Sequence, residues 1–225
     1  TESVLVYNSS SAEAVVADKE RSLSDEEFEK IFAGEADPFE NFTPRQRITR
    51  DKSPKFTSGL NVFAAISPID EKNRSKIIYA LQWREKPTFT YDDVLNFNMT
   101  GSDGKNDLAV DIRDYTLIVK YAAKSGEYLP EYEEKFTGDA YGVLAESDRG
   151  IKMKKITPKG VLYAKEIIFT GRVRPAVSGA DIESLALYMG YEHCIFKGNR
   201  ENAGQIRLAI TADRETGKTE QYISG

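Results

Sequence analysis

Two stretches of apolar alternation, out of phase with each other, constrain this chain most. Leu108, Val110 and Ile112 alternate with polar residues, and Tyr115, Leu117, Val119 and Tyr121 then alternate in the opposite phase. Successive side chains of a strand point to opposite faces, so a period of two marks a half-buried strand. A one-residue phase change needs a bulge or bend, expected here near Arg113-Asp114 to switch the faces. Residues 60–66 and 76–83 are further β-favouring runs, joined by the turn-rich stretch 67–73, and Gly101-Ser102-Asp103-Gly104 reads as another turn. The class that follows is α+β, mainly antiparallel sheet with few helices.

The helical signals are sparse. Ser24-Asp25-Glu26-Glu27 forms a capping box, Phe28, Ile31 and Phe32 share one face, and Gly34 is placed to end the helix. A second helix is expected over 180–189, capped by Ser178, with Ile182, Leu185, Ala186 and Met189 on one face and Gly190 closing it. It lies between a strand over 161–169 and one carried by Ile206, Leu208 and Ile210. Residues 1–20 read as an extended or weakly ordered arm, and 37–59, with Pro38, Pro44 and Pro54, as a loop. Residues 126–139 read as an exposed acidic and aromatic excursion. The division expected is an acidic arm, short helix and basic loop over 1–59, followed by a single domain over 60–225. Neither an internal repeat nor a low-complexity tract is visible.

Charge is distributed unevenly. Residues 1–40 hold eleven Asp/Glu against three Lys/Arg, whereas 41–60 hold five basic residues and only Asp51. Residues 151–210 carry ten Lys/Arg against five Asp/Glu, although the whole chain is −5. A protein acidic overall can still offer a basic face to an anionic partner. No run of 18 apolar residues occurs, so no membrane partner is expected, and a lone Cys194 fits a reducing, cytoplasmic setting. One His and one Cys cannot supply a Cys/His zinc cluster, and His193 beside Cys194 reads as structural.

Other motifs have plainer explanations. Gly217-Lys218-Thr219 has the ending of a phosphate-binding loop, but six residues remain after it, too few for the helix such a loop requires. Glu215-Thr216-Gly217 reads instead as the turn of a terminal hairpin. Asp92, Asp93, Asp103 and Asp107 do not have the spacing of a calcium loop, and Thr90 with Asp93 suits a helix start equally well. No cofactor is expected. The triplets Asn41-Phe42-Thr43 and Asn98-Met99-Thr100 match a glycosylation pattern that arises often by chance.

The stretch Phe196-Lys197-Gly198-Asn199-Arg200-Glu201-Asn202-Ala203-Gly204 places glycines and cations between regular elements. Glycine lets backbone approach a phosphate or sugar, and Lys/Arg supply charge. Together with Ile167-Ile168-Phe169-Thr170-Gly171-Arg172 and Gln205-Ile206-Arg207-Leu208, it resembles the C-terminal section of RAMP-superfamily CRISPR proteins. The resemblance implies a ferredoxin-like (RRM-like) core and RNA contact at Lys197, Gly198, Asn199, Arg200 and Gly204. Guide-processing members often use a catalytic histidine; none of that sort is present here, so a non-catalytic backbone subunit is implied.

Two functions are carried forward. One is an RNA-binding subunit of a ribonucleoprotein, holding its strand through Arg172, Arg174, Lys197, Asn199 and Arg200, with Arg45 and Arg47 on a mobile loop. The other is a structural self-assembly protein, such as a virion or phage component, whose partners are copies of itself or other subunits. An enzyme ranks third, because no nucleophile motif is visible.

Overall fold

The computed structural model describes residues 3–10, 13–17, 24–40, 47–48, 60–83, 86–87, 93–143, 151–153, 155–158, 160–193, 204–214 and 219–224. In chain order they form β1 (Ser3–Ser10), β2 (Glu13–Ala17), α1 (Asp25–Ala33), β3 (Arg47–Ile48), β4 (Leu60–Ile66), β5 (Ser75–Trp83) and β6 (Asp93–Ser102). Then come β7 (Asp107–Leu108), β8 (Val110–Ala122), a 3₁₀ turn (Pro130–Tyr132), β9 (Glu134–Val143), β10 (Ile151–Met153) and β11 (Lys155–Thr157). The chain continues with β12 (Gly160–Pro175), β13 (Ser184–His193), β14 (Gly204–Asp213) and β15 (Thr219–Ser224).

These strands make two antiparallel sheets. The nine-stranded sheet runs β3-β2-β1-β4-β5-β12-β8-β9, with β11 paired to the start of β12, and the six-stranded sheet runs β10-β6-β13-β14-β15, with β7 paired to β6. One core lies between them. Ile66, Ile77, Tyr79, Leu81 and Trp83 from the larger sheet meet Leu95, Met99, Leu185, Leu187, Tyr191 and Ile210 from the smaller. A second, smaller core lies on the outside of the larger sheet. There Phe28 and Ile31 of α1 pack on Phe63, Ala65, Ile78 and Ala80. The order of layers is therefore helix, sheet, sheet, and the fold is mostly antiparallel sheet with a single described α-helix.

The phase change is a bulge. Between β8 and β12 the register passes from Thr116↔Thr170 to Arg113↔Arg172, which leaves one extra residue on β8, and β9 shows a shift at the same place. Asp114 takes a positive φ of 49° there. The bulge turns both alternating stretches toward one core, so Val110 and Ile112 are buried alongside Leu117, Val119 and Tyr121.

The helix α1 also follows its sequence signals. The Ser24 side chain accepts from the Glu27 N–H at 3.2 Å, the Glu27 carboxylate accepts from the Ser24 N–H at 3.1 Å, and Gly34 closes the helix at φ 77°.

Several expectations are corrected. Residues 184–193 are a strand, not part of a helix over 180–189, and Ser178 caps nothing helical. The cause is tertiary: β13 pairs along its whole length with β6 on one side and β14 on the other. Gly190, expected to close a helix, lies within that strand, opposite Asn96 and Arg207. A ferredoxin-like core needs two helices on one face of its sheet, and the described residues do not form one. Residues 3–10 and 13–17 are extended as expected, but they pair as a hairpin, and β1 joins β4. Within the loop expected over 37–59, Arg47–Ile48 pairs with β2. Part of the excursion over 126–139 is the strand β9, while Leu129 is buried in the main core. Asp93 begins a strand, not a helix. The terminal hairpin is present as β14 and β15, with residues 215–217 outside the described residues. Among the described residues no helix is long and apolar enough to cross a membrane.

Candidate interaction face

The outer face of the larger sheet, beside α1, gathers a connected set of charged and polar side chains. Because antiparallel partners point the same way, the register sorts them into rows across the strands. Thr170, Thr116 and Thr137 stand in line on β12, β8 and β9. Ile168, Ile118 and Lys135 form the adjoining row. Next to it Lys120, Glu166, Gln82 and Asn61 span four strands.

That last row is a hydrogen-bonded ladder. Glu166 is only 6% exposed, and its two carboxylate oxygens accept from the Lys120 ammonium and, at 2.7 Å, from the Gln82 amide. Asn61 then donates to Gln82 at 3.5 Å. A buried carboxylate is tolerated when both oxygens are engaged and a cation neutralises it.

Arg113, Arg172 and Lys76 make a row of three cations on β8, β12 and β5. Every one of them meets a carboxylate. Arg113 donates to Asp111 at 2.8 Å and to Asp139 at 3.1 Å, Arg172 to Asp114 at 3.0 Å, and Lys76 to Glu29 of α1 at 2.5 Å. The next cation along β12, Arg174, lies 4.0 Å from the same buried Asp111. The Asp114 N–H and then Arg113 hold the Asp139 carboxyl below the usual carboxylate range. Aromatic rings complete the network. The Arg113 guanidinium stacks 3.8 Å from the Tyr141 ring centre, and Lys76 and Arg172 both lie over Phe32.

Between the end of α1 and strands β8, β9 and β12 lies an open groove of about 340 Å³, with Phe32, Ile118 and Ile168 on its apolar side and Lys120, Lys135 and Glu133 on its polar side.

The expected RNA-contacting residues divide three ways. Arg172 and Arg174 lie two apart on β12, each about half exposed and each facing a carboxylate. Arg47 is in β3 opposite Val16, and Gly204 opens β14 opposite His193. Arg45, Lys197, Gly198, Asn199 and Arg200, with Cys194, lie outside the described residues. Of the acidic set considered for a cation, the Asp103 carboxylate accepts from the N–H groups of Lys105 and Asn106 in its own turn. Arg113, Asp111, Asp139, Lys120 and Glu166 escaped the sequence reading. Their pairings join strands up to 84 residues apart, and only a register would have revealed them.

Set beside known proteins, the chain matches no family model, no curated protein and no solved structure.

Proposed function

We propose that this chain is a structural subunit without a catalytic role, one that assembles with copies of itself or with other protein subunits, as a virion or phage component does. One observation carries the reading. On the outer face Arg113, Arg172, Arg174 and Lys76 are matched by Asp111, Asp114, Asp139 and Glu29, four charges of each sign. A polyanion gains from cations whose charge is free to replace its counterions. Cations already neutralised within the chain offer it little, whereas a protein surface tolerates such a balanced face. Exposed aromatic side chains at Phe136, Tyr141 and Tyr188 suit the same kind of partner. Light scattering on the purified chain, with and without nuclease treatment, tests the proposal. Assemblies that survive nuclease support it, and a monomer at all concentrations rejects assembly with copies of itself.

The second reading is an RNA-binding subunit of a ribonucleoprotein, of the CRISPR backbone type. Its support is the row of three cations in register across β8, β12 and β5, with Arg172 and Arg174 both about half exposed. Lys197, Gly198, Asn199 and Arg200 enter it through the sequence resemblance alone. Single-stranded RNA binding that weakens steeply with salt, and falls further in Arg172→Ala/Arg174→Ala, would favour this reading over the first.

A further inference from the structure

Strand β9 ends its sheet: it pairs with β8, and no described strand lies on its other side. Natural sheets usually protect such an edge with prolines, very short strands or inward-facing charges. This one presents ten residues and no proline and leaves Phe136 47% and Tyr141 66% exposed; its charges at Lys135 and Asp139 are of opposite sign, and its register shifts against β8 lie beyond Gly138.

Its sequence is also complementary to itself. Set antiparallel against a second copy with Thr137 opposite Thr137, Lys135 falls opposite Asp139 and Phe136 opposite Gly138. Each of these pairs occurs twice across the two-fold axis. Lys135 is exposed and forms no ion pair with the described residues, so an acidic partner would be a new contact for it. The Asp139 side chain remains 34% exposed beside Arg113. The position that a Cβ on Gly138 would occupy lies 3.3 Å from the Tyr115 hydroxyl, so the Tyr115 ring of the same chain already covers that glycine, and the pairing rests on the charges and the exposed edge. With the axis moved one residue, to Gly138, Lys135 faces Tyr141 and Asp139 faces Thr137, and the charge pair is lost.

We propose that two copies of this chain join by antiparallel pairing of their β9 edges about a two-fold axis at Thr137. Two nine-stranded sheets then become one, and the row Thr170, Thr116, Thr137 continues into the same row of the partner. This interface rests on the assembly reading above and specifies one contact within it.

Cysteine cross-linking tests the pairing. In a Cys194→Ser background, Thr137→Cys should form a disulfide-linked dimer in a glutathione redox buffer, because directly opposed residues bring their Cβ atoms within about 5 Å. Thr116→Cys, one strand inward, should not. Lys135→Glu, which sets like charges opposite each other twice, should weaken dimerisation by about tenfold or more in sedimentation analysis. If the wild-type chain assembles but Thr137→Cys does not cross-link, or Thr116→Cys cross-links equally well, the β9 pairing is overturned and the assembly reading stands. A wild-type chain that sediments only as a monomer overturns the β9 pairing and self-assembly together.

Discussion

The indole N–H of Trp83 on β5 donates to the phenol oxygen of Tyr191 on β13 over 3.0 Å, a buried hydrogen bond between the two sheets. The rings also meet edge to face, with centres 6.3 Å apart. Tyr191→Phe keeps the ring and removes the acceptor. It should cost about 1–3 kcal/mol in urea unfolding, the usual penalty for stranding a buried donor. In a double-mutant cycle, Trp83→Phe should recover part of that loss, since the donor is then gone as well.

Asn73 fastens one end of the sandwich. At φ 58° in the turn before β5, it accepts from Arg214 and from the Ile182 N–H and donates to Asp181. Asn73→Gly keeps the backbone conformation and loses the bonds, whereas Asn73→Ala loses the bonds and strains the backbone too. Thermal unfolding should rank wild type above Asn73→Gly and Asn73→Gly above Asn73→Ala, the last two separated by about 1 kcal/mol.

Lys120→Met leaves the Glu166 carboxylate buried without its cation. The expected loss is about 3–5 kcal/mol in denaturant unfolding. Lys120→Met combined with Glu166→Leu should restore most of it, because a buried ion pair exchanged for apolar side chains of similar size is often neutral.

Gly171 lies beside the bulge with no room for a side chain, since a Cβ there would sit 2.6 Å from Ile112 Cγ2. Gly171→Ala should destabilise by about 1–3 kcal/mol, as overpacking commonly does. Pairing it with Ile112→Val, which removes a methyl group from that side chain, should reduce the penalty in the same unfolding assay.

At the alkaline end, Tyr128 is the group to follow. Burial, and then its 2.6 Å hydrogen bond to Glu133, push its pKa up to about 12. An unfolded tyrosine ionises near about 10, so the folded form holds its proton longer. Stability from this group is complete below about pH 10 and declines as pH rises through about 12. Tyrosinate absorbance should show that high-pH titration in the wild type and lose it in Tyr128→Phe.

Local features of the chain were legible where a short signal has one meaning. The Ser24 to Gly34 helix, the bulge at Arg113-Asp114 and the terminal hairpin each rest on residues close in sequence. The region of β13 was not, because its apolar residues satisfy two periods at once. Ile182, Leu185, Ala186 and Met189 fit a helical face, while Leu185, Leu187 and Tyr191, all buried, fit a strand. Ladder bonds from β6 and β14 decide between them, and although β14 is the next strand, β6 lies far earlier in the chain. The candidate face was hidden for the same reason. Arg172 stood out as a cation in the sequence, but that Asp114 neutralises it follows only from the pairing of β12 with β8.

Strand β12, sixteen residues long, is the seam between β5 and β8. Everything before residue 160 is therefore synthesised while those two strands lack their common neighbour. A nascent chain emerging from the ribosome must wait with two sticky borders showing, and its larger sheet closes late, in a single zippering step. Slow maturation and a need for chaperone shelter during synthesis follow from that order of events.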